Sequence, residues 1–322
     1  MWQIGDTLNG QYRIERRLNS GRYGTTYLAR DDRARRWVIK TPSDELLSNL
    51  ATDKRQALER KFQEEADRIS ECNHPHVVSA KGAFREGDRV CIPMQYIDGV
   101  DLESRATRQL EESEALTYIR QIGSALQAVH KCEIVHRDVK PANIVVRSGK
   151  PEAVLIDFGL ARGFAHPLTS VKSTTEDGYA PIELYYPDGE RGPYTDVYSL
   201  AATLYNLLTG EVPPSAENRA AGSGKLIDPK EINAKISDAT NDAILEGMKL
   251  GPQERPATVE AWLNLLPSPD PEPTPDDGIR WAQIGVWIAI LTLVVTILGV
   301  IPAWLGLFGD RDSPPTPDEI SD

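Results

Sequence analysis

Between Trp281 and Phe308 the chain runs 28 residues without a charged side chain. About twenty apolar residues cross a bilayer as a helix, whereas core helices of soluble proteins are shorter and amphipathic. The run therefore reads as one transmembrane helix. Trp281 and Trp304 stand 23 positions apart, about 34 Å along a helix, which suits two interfacial anchors. Pro302 ends the span early and leaves Ala303 to Phe308 at the interface. Ahead of it, residues 267–280 carry proline at 267, 269, 271, 273 and 275 among mostly polar and acidic residues. Such a stretch has no means of building a core and, extended as polyproline II, reaches roughly 40 Å. Arg280 before the span and the net negative tail 309–322 agree with an N-terminus inside. A folded domain is thereby confined to residues 1–266.

The chain is 40% hydrophobic and 26% charged, enough for a packed core. A net charge of −12 argues against nucleic acid as a partner, because phosphate binding needs a basic face. Cys72, Cys91 and Cys132 form no C-x-x-C pair, so they read as buried thiols in a reducing compartment. The cluster His74-Pro75-His76 lacks further ligands at metal spacing and reads as a structural turn. The opening MWQIGDTLNG has no basic stretch followed by an apolar run. No signal peptide is expected, and the folded part is expected in the cytoplasm.

Tyr12 to Leu18 and Thr25 to Ala29 read as two short strands around the turn in LNSGRYGTTYLA, with a polar turn at Asp31 to Ala34 and a third strand at Arg36 to Lys40. From Ser43 to Cys72 the period changes: Leu46, Leu47, Leu50, Leu58, Phe62, Ala66 and Ile69 predict one or two amphipathic helices. Val77 to Phe84 and Arg89 to Tyr96 read as strands around Glu86-Gly87-Asp88. After Gly99 the chain is mostly helical. Leu116, Ile119, Ile122, Leu126 and Val129 line one side of a helix over Ser113 to His130. Two short apolar runs follow, Asn143 to Val146 and Ala153 to Ile156, and helices resume from Asp196 to Leu266. There are no internal repeats.

The segment VHRDVKPANI, Val135 to Ile144, sets Asp138 and Asn143 five apart with Lys140 between them. A transferred phosphoryl group carries spread negative charge, so its site needs cations and little covalent machinery. A carboxylate orients the attacking hydroxyl and takes its proton, a lysine neutralises phosphate, and an asparagine carbonyl holds a magnesium ion. A second carboxylate for metal, Asp157 in LIDFGLAR, follows fourteen residues later.

With these segments together the chain resembles the protein kinase family over residues 12 to 266. NSGRYGTT is similar to the glycine-rich loop, so the resemblance gives Asn19, Ser20, Gly21, Gly24 and Thr26 to the nucleotide. WVIK looks like the strand whose lysine, Lys40, grips the α- and β-phosphates. FQEEA looks like the middle of the C helix, with Glu65 as the partner of Lys40 and Glu64 as the fallback. PMQYIDGVD resembles the hinge, with Met94 as gatekeeper, the backbone of Gln95 and Ile97 meeting adenine, and Asp101 reaching the ribose. By the same resemblance Asp138 is the catalytic base, Lys140 steadies the γ-phosphate, and Asn143 with Asp157 binds magnesium, manganese being an alternative. GYAPIE matches the end of the activation segment, implying a pair between Glu183 and Arg255. Asp196 in DVYSL would brace the catalytic loop, and Arg137 would meet a phosphate on the activation segment, where Ser170, Ser173, Thr174 and Thr175 are candidates for autophosphorylation.

The implied architecture is an α+β, two-lobed kinase-like fold followed by a single transmembrane helix. An N-lobe of about 12–96 carries an antiparallel sheet and the C helix, and a mainly helical C-lobe covers about 100–266. Residues 267–280 form the linker, 281–308 the span and 309–322 the tail. The implied activity is transfer of the γ-phosphoryl group of Mg-ATP to serine or threonine of protein substrates, since Lys140-Pro141 is the usual pair of the family's serine/threonine members. The implied setting is single-pass in the cytoplasmic membrane, with the kinase domain in the cytoplasm and homodimerisation one route of activation. A pseudokinase scaffold is the alternative; retention of Lys40, Asp138, Asn143 and Asp157 speaks for turnover. A kinase of a small molecule or lipid has only the anchor in its favour. Several residues depart from the family pattern. Asn19 stands for the first glycine, and its tolerance of left-handed angles is expected to preserve the turn. Thr26 replaces a valine, Thr175-Glu176-Asp177 replaces G-T-P, and Pro181-Ile182 alters A-P-E.

Overall fold

Strand β2 (Tyr12–Ser20) buries Tyr12 and Ile14 and exposes Arg13 between them, the period of a strand with one packed face. It pairs antiparallel with β1 (Thr7–Leu8) and β3 (Gly24–Arg30). The sheet continues through β4 (Arg36–Pro42) to β6 (Arg89–Gln95) and β5 (Phe84–Glu86), in the order β1-β2-β3-β4-β6-β5. The structure, a computed structural model, describes residues 2–21, 24–158, 177–186 and 188–268, the side chains of Glu65 and Asp177 excepted. The expected membrane span and tail, nearly all of the linker, and the candidate phosphosites Ser170, Ser173, Thr174 and Thr175 lie outside these residues. Among the described residues no helix is long and apolar enough to cross a membrane. Met1–Ser268 forms one compact unit.

Register divides the sheet into two faces. Thr26 lies opposite Lys40, Lys40 opposite Ile92, and Val38 opposite Met94, so these side chains share the face towards the cleft. The other face carries Tyr12, Ile14, Tyr27, Ala29, Ile39 and Cys91, packed with Leu8, Trp2, Trp37 and Phe84. Tyr12 stacks on Phe84 with centroids 5.7 Å apart, and Trp2 meets Tyr27 edge-on at 5.4 Å.

The region expected to hold one or two helices holds two. Helix α1 (Asp44–Ser48) is capped by the Ser43 side chain, which accepts from the Leu46 N–H, and α2 (Thr52–Glu71) follows. Phe62, Ala66 and Ile69 of α2 lie in one hydrophobic core with Ile92 and Met94 of the sheet. The expected strand Val77 to Phe84 is not one. Its backbone divides between two partners: Val78 N–H donates to Leu155 O at 3.0 Å, while Lys81 N–H donates to Pro93 O at 2.8 Å. Before Phe84, where β5 begins, only isolated bridges form, at Val77 and Ala80.

Beyond the hinge, β7 (Gly99–Asp101), β8 (Ile144–Arg147) and β9 (Ala153–Leu155) make a small antiparallel sheet. Helix α3 (Glu112–Lys131) buries Ala115, Tyr118, Ile119, Ile122, Ala125, Leu126 and Val129, the stripe an amphipathic helix presents to a core. Helix α4 (Pro193–Thr209) is buried nearly all round. It starts with proline at its first position and ends at Gly210 with φ 76°, a left-handed cap that glycine adopts without a Cβ clash. Helices α5 (Ala216–Ala220), α6 (Pro229–Ile232), α7 (Asp238–Gly247) and α8 (Val259–Leu263) complete the domain. Trp262 is fully buried and donates its indole N–H to Ala243 O at 2.8 Å.

Candidate active site

The turn that opens the nucleotide side of the cleft is closed by Gly21 N–H donating to Gly24 O at 3.0 Å. Ser20 pairs with Thr25 and Asn19 with Thr26 across the strands. Asn19 is thus a strand residue. The non-glycine residues with positive φ among those described are Asn9, Ala34, Glu133, Arg137 and Asp157. The left-handed tolerance expected of Asn19 is therefore not what the turn uses. A register shift between Arg17 and Asn19 takes up the irregularity instead, as a bulge does. Of the two loop glycines, Gly24 carries the steric constraint: a Cβ there would lie 3.2 Å from Thr41 O and 3.5 Å from Lys40 Cε.

Lys40 is buried on β4 and its ammonium pairs with Asp157 while donating to Phe158 O at 2.8 Å. The side chain of Glu65 lies outside the described residues. Burial pushes the Asp157 carboxyl up, but the Lys40 charge and hydrogen bond outweigh it and hold the group below the usual carboxylate range. Asp157 has φ 57°, a backbone state that a non-glycine residue holds only when its surroundings fix it. The neighbouring Ile156 N–H donates to Asn143 O at 2.9 Å, which draws Asp157 and Asn143 together. Asn143 donates its side-chain amide to Asp138 O at 2.7 Å, leaving its side-chain oxygen as an acceptor.

Asp138 lies half-buried, with its Oδ1 3.7 Å from Lys140 Nζ. The loop that carries it is held from α4. Asp196, fully buried, accepts from His136 N and Arg137 N at 2.8 Å each and bonds the His130 ring at 2.7 Å. Burial raises the Asp196 carboxyl, yet His130, His136 and the Arg137 N–H keep it below its ordinary value. His136 is buried and shifted down, first by desolvation. Arg137 has φ 65°, so both left-handed residues near the cleft belong to this constellation. Arg255 forms a two-pronged pair with Glu183 at 2.8 and 3.0 Å and also donates to Lys249, Leu250 and Tyr194 carbonyls.

At the hinge, Met94 is buried on the cleft face. Gln95 N–H is spent on Ser79 O at 2.8 Å, so its carbonyl is the group it can offer a ligand. Ile97 is buried. Asp101 Oδ1 accepts from Glu103 N and Ser104 N at 3.1 and 2.7 Å, which leaves its second oxygen available. The cleft thus brings together Lys40, Asp138, Lys140, Asn143 and Asp157. No group of three or more metal-ligating His, Cys, Asp or Glu exists among the described residues. Two oxygen ligands, Asn143 and Asp157, suit magnesium, which dehydrates reluctantly and is bound by one or two protein oxygens together with substrate phosphates. His130 and the Phe158 carbonyl were not signalled by any motif; His130 sits in the last turn of a helix, where its reach to Asp196 depends on the packing of α3 against α4.

The family pattern described as protein kinase domain matches residues 12–264. The chain belongs to the protein kinase family. Serine/threonine-protein kinase pkn3 of Myxococcus xanthus is 30% identical over 297 residues, covering 84% of this chain and 52% of its own length. Serine/threonine-protein kinase PknE of Mycobacterium tuberculosis is 33% identical over 263 residues, covering 77% of this chain and 44% of its own. The chain thus spans about half the length of these relatives or less. Among solved structures, PpkA-294 in its apo form is 25% identical with a TM-score of 0.69, covering 83% of this chain and 99% of that one. The kinase domain fold, with its antiparallel N-lobe sheet and helical C-lobe, therefore accounts for the described residues.

Proposed function

We propose that this chain is a membrane-tethered serine/threonine protein kinase that transfers the γ-phosphoryl group of Mg-ATP to protein hydroxyls and to its own activation segment. The observation that carries the reading is the convergence of Lys40, Asp138, Lys140, Asn143 and Asp157 on one cleft. Family membership supports use of ATP and a divalent metal in general, and the names of the relatives support serine and threonine as acceptors. Lys40 takes the α- and β-phosphates. Asp138 orients the substrate hydroxyl and accepts its proton as the phosphoryl group moves, a general-base contribution of about 10²–10⁴. Lys140, beside Asp138, neutralises charge on the transferred group. Magnesium held by Asn143 and Asp157 would supply charge neutralisation on the nucleotide phosphates. The apolar run 281–308 tethers the domain to the cytoplasmic membrane, with the kinase on the cytoplasmic side.

Incubation with labelled ATP, magnesium and a generic serine/threonine substrate, beside Lys40→Ala, tests the activity. Transfer by the wild type alone is expected, and no transfer by either protein under several conditions would favour a scaffold. Phosphopeptides mapped on wild type and on Asp138→Asn test self-modification. Sites among Ser170, Ser173, Thr174 and Thr175 should vanish in the variant, and equal phosphate on both would sink self-catalysis. A reporter fused after Asp322 should read out beyond the cytoplasm; a cytoplasmic signal contradicts the span.

A further inference from the structure

The chain as a whole is acidic, but its charge is unevenly spread. Residues 1–40 hold nine Lys and Arg against four Asp and Glu, a net of about +5 in a protein of net −12. Six of these arginines, Arg13, Arg16, Arg30, Arg33, Arg35 and Arg36, lie at one end of the N-lobe sheet, among Glu15, Asp31, Asp32 and Asp98. Arg13 lies directly opposite Arg30, and Arg30 directly opposite Arg36, so three arginines cross β2, β3 and β4 in one row. Like charges directly opposite in a sheet are destabilising. Neighbouring strands are about 4.8 Å apart, so the row spans about 10 Å. Arg16, opposite Leu28, extends it along the same face.

The β3–β4 turn adds to the patch and is rigid. Asp31 accepts from Arg33 N, Arg35 N, Arg35 Nε and Trp37 Nε1 at 2.8–3.0 Å. Burial works against its charge, but the bonds from Arg35, Trp37 and Arg33 win and hold the carboxyl at about 2. The turn so locked exposes Arg33, Arg35 and Arg36. Glu15 pairs with Arg30, Asp31 with Arg35 and Asp98 with Arg36. Arg13, Arg16 and Arg33 have no carboxylate partner among the described residues. Asp32, also in the turn, is exposed.

Pro267 O accepts from Arg120, and the adjacent Gln121 bonds Pro151 O and Ala153 N. This turn leads back to Ser148, whose N–H donates to Asp98 O at 2.9 Å. Asp98 is the residue that pairs with Arg36, and Arg36 lies over the hinge residue Tyr96 at 4.4 Å. A short run of contacts thus joins the point where the linker begins to the arginine row.

We propose that this hinge-side arginine face docks on the anionic phospholipid surface of the membrane to which the chain is tethered. The occupant follows from charge complementarity and from an exposed sheet face and turn rather than a pocket. The proposal rests on the tethered reading above for its occupant. Clusters of four to eight basic residues bind anionic headgroups at about 1 kcal/mol each, roughly fivefold in affinity per residue.

Residues 1–268 form a compact unit with its own core and can be tested without the anchor. Co-sedimentation with phosphatidylcholine vesicles containing about a third phosphatidylglycerol, at low salt, should show binding that pure phosphatidylcholine vesicles lack. The triple variant Arg13→Gln, Arg16→Gln and Arg33→Gln should bind roughly 100-fold more weakly, with its thermal midpoint and peptide phosphorylation in solution unchanged. The double variant Lys150→Gln and Lys235→Gln, on exposed C-lobe lysines, should bind as wild type. Equal binding to both vesicle types, no binding to either, or equal loss in the C-lobe variant overturns the docking. So does self-association of wild type that the triple variant abolishes, which would assign the face to a second copy. The Asp322 reporter tests the tether separately, so failure of one reading is distinguishable from failure of the other.

Discussion

Asp157 and Asp196 are both held below the usual carboxylate range, but the two regions hold them differently. Asp196 is fully buried and bonded to a histidine ring and two backbone N–H groups. Every partner is fixed by α3 or by the loop that Asp196 itself orders. Asp157 is half-buried and bonded to one long, flexible side chain, Lys40. A ligand can replace a lysine; it cannot replace the backbone of His136 and Arg137. One carboxylate is therefore frame and the other is working group. The left-handed backbone at Arg137 and at Asp157 marks the seam between them, since strain of this kind persists only where the surroundings over-determine it.

Substitution should separate the two. Asp157→Asn is expected to lower phosphoryl transfer by roughly 10²–10³ while the thermal midpoint moves little, read from turnover and a melting curve on the same preparation. Asp196→Asn should instead cost about 3–5 kcal/mol, as breaking a buried ionic network does, which lowers the midpoint by about 10 °C in a domain of this size. Similar small shifts in both variants would erase the distinction. The acid limb of stability sharpens it further. The folded pKa of Asp196 lies below its unfolded value near 4, so its contribution is complete above about pH 4 and is lost as pH falls below that. Denaturant melts between pH 5 and 2 should therefore be flatter for Asp196→Asn than for wild type. On the nucleotide side, Gly24→Ala must push on Thr41 O and should raise the KM for ATP several-fold, whereas Gly21→Ala, whose Cβ would meet Gly24 O at an ordinary 3.8 Å, should not. The smallest effect belongs to Asn19→Gly: because Asn19 is a paired strand residue, ATP affinity and turnover should stay within about twofold. A large change in isothermal titration would mean that the side chain itself meets the nucleotide.

The helices and longer strands were legible because burial imposes a period. The Leu116–Val129 stripe of α3 and the alternation in β2 follow from packing one face. Val77 to Phe84 misled for the same reason: its apolar residues do face the core, but its N–H groups serve two different strands, and hydropathy carries no information about hydrogen-bond partners. Strands β1 and β7, at two and three residues, are too short to show a period. In the cleft, residue types and spacing pointed to Asp138, Lys140, Asn143 and Asp157, since phosphoryl chemistry demands those groups, and the resemblance to the kinase family added Lys40. The sequence could not show that Lys40 would rest on Asp157 and Phe158 O, because that bond spans more than a hundred residues of chain. Nor could it show the arginine row, which depends on cross-strand register.

The sheet packed on both faces has a consequence for movement. Its cleft side belongs to the main core, and its back is sealed by Trp2, Leu8, Tyr12, Trp37 and Phe84. Tyr27, Leu28, Ala29 and Ile39 in the middle of β3 and β4 are buried, so their amide protons should exchange with deuterium more slowly than those of the exposed strand ends at Arg30 and Arg36. A hinge motion between lobes would then carry Lys40 as a rider on a stiff plate, and its distance to Asp157 would report the angle between lobes rather than any flexing of the strand.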